Sequence, residues 1–99
     1  MGKTLIFKYI SYNREDVVAS EWNSVFSRYF VDKAFACRLE NGEMSASNSG
    51  SREQIKIYFS TDNFLDLHEV IIKGDNRQVT RRCDETTRLY RNLGFKPLN

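Results

Sequence analysis

A chain of 99 residues has room for one domain and no second one. Its 40% hydrophobic, 28% charged and 13% aromatic content is that of a globular protein with enough apolar mass to build a core without disulfide staples. The net charge of +2 is too small to mark a nucleic-acid binder by itself. No apolar run approaches the ~20 residues of a membrane span. Leu5-Ile6-Phe7 is cut short by Lys8, so no signal peptide is expected, and the chain reads as a cytoplasmic protein with no membrane partner. The charge is unevenly placed. Residues 1–72 carry eight Lys/Arg against ten Asp/Glu, a balance of −2, whereas residues 73–99 carry seven against three, a balance of +4.

In chain order, residues 4–10 predict a strand. Leu5, Phe7 and Tyr9 alternate with Ile6, Lys8 and Ile10, and apolar character on both faces predicts an interior place in a sheet. Ser11-Tyr12-Asn13 has turn and capping chemistry. From 14 to 30 the period becomes helical, with Val18, Trp22, Val25, Phe26 and Tyr29 on one stripe and Glu15 and Asp16 in the first turn, where the helix dipole favours acids.

Residues 34–40 predict a strand with Phe35, Cys37 and Leu39 on one face. Asn41-Gly42 is a strong signal for a two-residue hairpin turn, for which both residues are expected at positive φ. The return strand, 43–48, is polar and reads as a sheet edge. It runs into a small, polar, mobile stretch at 45–51. Residues 54–60 predict a strand with Ile55, Ile57 and Phe59 facing inward.

For residues 61–73 two patterns compete. Ser60-Thr61-Asp62 can cap a helix with Phe64, Leu67, His68 and Ile71 on one face, closed by Gly74. The β-branched run Val70-Ile71-Ile72 favours a strand instead. The last helix covers 76–93 on the stripe Val79, Cys83, Thr86, Tyr90 and Leu93, and stops at Gly94 and Pro97.

With the helical reading of 61–73, the order is β-α-β-β-β-α-α. The expected fold is one α+β domain over residues 1–99: a mostly antiparallel sheet of about four strands with two or three helices on one face.

On a helical wheel Arg77, Arg81, Arg88 and Arg91 share a sector of about 80° opposite the apolar stripe of the last helix, with Asp84 among them. Arginine suits bidentate contact with carboxylate or phosphate. Local pairing with Asp and Glu is the competing structural explanation. Tyr58, on a predicted strand, is expected to be exposed and to join such a surface.

Catalytic and cofactor chemistry finds little support. His68, the sole histidine, has no nucleophile or acid partner at a recognisable spacing and falls on an apolar side. Cys37 and Cys83 are far apart in sequence and lie on apolar faces, so they read as buried, reduced thiols, and no metal set is expected. Asp62, Asp66 and Glu69 would share a helical face but imply no pocket. Gly2-Lys3-Thr4 lacks the upstream glycine of a phosphate-binding loop.

The segment Thr87-Arg88-Leu89-Tyr90-Arg91-Asn92-Leu93-Gly94-Phe95-Lys96-Pro97 resembles the last helix and following strand of the coenzyme A-dependent N-acetyltransferase family. The resemblance covers about a tenth of the chain. It implies Tyr90 as a general acid near the thiol of coenzyme A. The family's pyrophosphate loop, Arg/Gln-x-x-Gly-x-Gly/Ala before a helix, is absent here.

The expected function is a small protein-binding module, of the inhibitor or immunity type that bacteria and phages encode as single domains. It would bind a larger protein through Arg77, Arg81, Arg88, Arg91 and Tyr58, with no cofactor, no metal and no catalytic residue. Nucleic-acid binding by the same arginine face is the alternative, and a small acetyltransferase-like enzyme a further one.

Overall fold

Short hairpins organise the middle of the chain and two helical crossovers complete it. In the computed structural model, which describes residues 2–11, 17–62 and 65–98, the order is β1 (Lys3–Ser11), α1 (Val17–Asp32), β2 (Ala36–Glu40), β3 (Glu43–Asn48), β4 (Glu53–Asp62), β5 (Leu65–Gly74), α2 (Asn76–Asn92) and β6 (Lys96–Leu98). Strands β2 to β5 form an antiparallel meander. The sheet order is β2-β3-β4-β5-β1-β6, and every neighbouring pair is antiparallel.

The class is the expected α+β, but the sheet has six strands and two helices among the described residues. The helical reading of 61–73 is overturned: Leu65–Gly74 is a strand paired on both sides, with β4 and with β1. Its burial alternates with a period of two. Asp66, His68, Val70 and Ile72 are buried, whereas Leu67, Glu69 and Ile71 are half-buried on the other face. The expected cap and Phe64 involve residues whose structure or side chains lie outside the described residues, as do Tyr12, Asn13 and the acidic first turn at Glu15 and Asp16.

Topology explains why one face carries both helices. Strands β1 and β2 are parallel and joined through α1; β5 and β6 are parallel and joined through α2. The two crossovers leave antiparallel neighbours in opposite directions across the sheet. With the right-handed preference of such connections, this puts both helices on the same side.

The core lies between the helices and the sheet. Trp22, Phe26 and Phe30 descend from α1, and Val79 and Tyr90 from α2. They meet Tyr9, Met44, Ala46, Ile55, Ile57, Val70 and Ile72 from the strands. Strand β3 is therefore an inner strand with Met44 and Ala46 buried, not the polar edge its composition suggested, and 43–48 is regular strand.

Both helices stop in the same way. Residues Ala34 and Gly94 take positive φ, 66° and 91°. Phe35 N–H donates to the Phe30 carbonyl (2.8 Å) and Ala34 N–H to Val31 (3.0 Å). Phe95 N–H donates to Tyr90 (3.0 Å) and Gly94 N–H to Arg91 (3.0 Å). The phenylalanine after each stop folds back on the helix, 5.6 Å from the Phe30 ring and 5.1 Å from the Tyr90 ring. The Leu-Gly-Phe segment is thus one of two equivalent helix stops in this chain. At the Asn41-Gly42 turn only Gly42 takes positive φ, 70°.

Candidate functional site on the C-terminal helix

Helix α2 is held at both ends. Asp75 accepts from Gln78 N–H at 2.8 Å while the Gln78 side chain accepts from Asp75 N–H at 2.9 Å, a capping box worth about 1 kcal/mol. Between the ends, Val79, Arg82, Thr86 and Tyr90 are buried. The opposite side faces solvent, and Arg77, Arg81, Arg88 and Arg91 are all exposed on it. Among the described residues none of the four is within ion-pair distance of a carboxylate, and Asp84, exposed in their midst, pairs with none of them. The span from Arg77 to Arg91 is about 21 Å at 1.5 Å per residue.

Local pairing with carboxylates is made instead by a neighbour on the same helix. Arg82 turns inward and grips Glu53 of β4 with two bonds, Nε at 2.6 Å and a terminal nitrogen at 3.3 Å. Its other terminal nitrogen reaches Tyr29 Oη (3.1 Å) and Glu85 (3.3 Å), and the guanidinium carbon lies 5.1 Å from the centre of the Phe35 ring. Tyr29 donates to Glu85, and burial with that carboxylate pushes the phenol up to about 12. By composition alone Arg82 is one more basic residue of the C-terminal segment. Its wheel position, 100° past Arg81 and flanking the apolar stripe, is the signal that separates it.

Tyr58 does not join the arginine face. It stands opposite Glu43 of β3 and Glu69 of β5, on the side of the sheet away from both helices. The arginines and Tyr58 therefore belong to opposite surfaces of the protein.

Tyr90 is completely buried. Its ring stacks on Tyr9 at 4.3 Å, and its hydroxyl receives Trp22 Nε1–H at 3.3 Å and lies 3.0 Å from His68 Nδ1. Burial raises its pKa far above the ordinary phenol value. The general-acid role that the acetyltransferase resemblance implies requires a hydroxyl open to substrate; this one is enclosed by aromatic rings. His68 is equally internal, packed among Trp22, Phe59, Tyr90 and Phe95, and burial lowers its pKa to about 4.

The two cysteines are free thiols. Cys37 is exposed, against expectation, because β2 is a sheet edge; Cys83 is half-buried. No metal-binding cluster of His, Cys, Asp and Glu occurs among the described residues. No helix is long and apolar enough to cross a membrane among the described residues. No known family matches the chain, and no curated protein matches it in sequence.

Proposed function

We propose that this chain is a small protein-binding module, of the inhibitor or immunity type, that docks on an acidic surface of a larger protein through α2. One observation supports the reading above others: four exposed arginines on one face of a capped helix lack carboxylate partners within the described residues. Guanidinium groups carried on a capped helix need no ordering of the backbone on binding and match carboxylates two bonds at a time. Tyr58 is not part of this contact.

The test compares the wild-type chain with Arg77→Glu/Arg81→Glu/Arg88→Glu/Arg91→Glu in capture from the native host's lysate after nuclease treatment. A stoichiometric protein held by the wild type and lost by a folded variant is the expected result. Equal capture by both removes α2 from the account.

The second reading, a nucleic-acid contact, is favoured by a cavity of about 540 Å³ at the amino-terminal end of α2. Lys3, Arg52 and Lys73 line it, together with Asp75. Phosphate contact releases counterions, so affinity on this reading falls steeply with salt and capture is lost on nuclease treatment.

A further inference from the structure

We propose that the protein forms a symmetric dimer by antiparallel pairing of β2 with β2 of a second copy, with the two-fold axis at Leu39. The inference is independent of the arginine face.

The two edges of the sheet differ. Strand β6 has three residues, and its Pro97 has no N–H to offer. Strand β2 has five residues, all exposed, and no proline. Its inner side is committed to β3 by the two-residue Asn41-Gly42 turn. The residues flanking such a turn, Glu40 and Glu43, form a hydrogen-bonded pair. Alternate residues then follow. Arg38 and Ala36 also direct their backbone groups to β3, whereas Cys37 and Leu39 direct theirs outward, away from the sheet.

A strand that meets its own copy antiparallel pairs each residue with one at a constant sum of positions. With the axis at Leu39, each Leu39 sits opposite its counterpart, and the outward N–H and C=O of the two exchange both hydrogen bonds. The same register sets Arg38 opposite Glu40 of the second copy, and Glu40 opposite its Arg38. These are non-hydrogen-bonded pairs, the kind whose side chains approach most closely. Within one chain Arg38 and Glu40 already meet at 2.6 Å on the face away from the helices. Pairing closes them into a ring of four alternating charges.

Leu39 projects to the helical side of the sheet, opposite Met44, and is 48% exposed at the edge, where no described strand flanks β2. A second Leu39 across the axis would cover it. A shift of the axis by one residue, to Arg38, would set Arg38 against Arg38 and oppose the inward-directed backbone groups. The sequence Arg-Leu-Glu thus selects one register by both charge and backbone. The contact is isologous and closes at two copies, since each β2 edge is consumed by the other.

Sedimentation velocity over a concentration series reaching the high micromolar range tests this. The wild type is expected to pass from monomer to dimer. Arg38→Glu alone sets Glu against Glu twice, and Glu40→Arg alone sets Arg against Arg twice; each is expected to weaken the dimer tenfold or more. An equimolar mixture of the two variants restores both opposite-charge pairs, and a heterodimer at least as tight as the wild-type dimer is expected. Both positions are exposed, so the variants keep the fold, which circular dichroism checks. A wild-type chain that stays monomeric throughout overturns the proposal. So does a dimer indifferent to the charge reversals, or a mixture that associates no better than its components.

Discussion

The hydroxyl of Tyr90 and Nδ1 of His68 face each other at 3.0 Å in the centre of the core, 22 positions apart in sequence. Trp22 Nε1–H occupies the hydroxyl's acceptor side, so Tyr90 has its own proton to donate. The arrangement therefore favours a neutral imidazole accepting at Nδ1, in keeping with a pKa lowered to about 4 by burial.

The first prediction is a pH dependence of stability. An unfolded histidine protonates near 6.5, whereas His68 in the fold resists until about 4. Between these values the unfolded chain binds more protons, so stability rises with pH. The contribution is complete above 6.5, erodes as pH falls through this window, and amounts to about 3 kcal/mol at its limit. Urea midpoints measured from pH 7 to pH 4 should fall accordingly. A flat profile would refute the buried neutral state.

Tyr90→Phe removes one oxygen and leaves two polar atoms, Trp22 Nε1 and His68 Nδ1, without their shared partner. A loss of about 1–3 kcal/mol in denaturant unfolding is expected, with little change in far-ultraviolet circular dichroism.

Neighbouring arginines should behave oppositely. Arg82→Ala strands the carboxylate of Glu53, whose side chain is 5% exposed, and should cost about 3–5 kcal/mol. Arg81→Ala, on the solvent face, should stay within about 0.5 kcal/mol of the wild type. Thermal melts of the two variants make the comparison directly, and similar melts would contradict the burial assigned to Arg82.

The paired helix stops provide a matched test. Ala34 holds a positive φ that costs a side-chain-bearing residue about 1 kcal/mol, so Ala34→Gly should stabilise the fold by roughly that amount, less the added freedom of the unfolded chain. At Gly94 an added Cβ would meet nothing within 4 Å. Gly94→Ala should therefore destabilise through the backbone alone, again by about 1 kcal/mol.

Local chemistry was readable wherever one period or one motif stood unopposed. The stripes Trp22, Val25, Phe26, Tyr29 and Val79, Cys83, Thr86, Tyr90 announced two helices, and Asn41-Gly42 announced a hairpin. The exposure of Arg77, Arg81, Arg88 and Arg91 followed from the wheel, since a helix with one apolar stripe must present the opposite side to water.

Three matters were left to the tertiary structure. Residues 65–74 satisfy a helical spacing through Leu67, His68 and Ile71 and a strand spacing through Asp66, His68, Val70 and Ile72. In isolation neither wins. Between β4 and β1 the segment gains a hydrogen-bonded ladder on each side, which a helix there would forfeit. Arg82 became structural only because α2 lies over β5 and β1, from where its side chain reaches Glu53 on the neighbouring β4. Tyr58 was parted from the arginines by strand parity, because a residue opposite Glu43 and Glu69 must share their face. Periodicity along a chain identifies what a segment can be; which neighbours flank it, and hence which face of it is buried, is settled by contacts between residues distant in sequence.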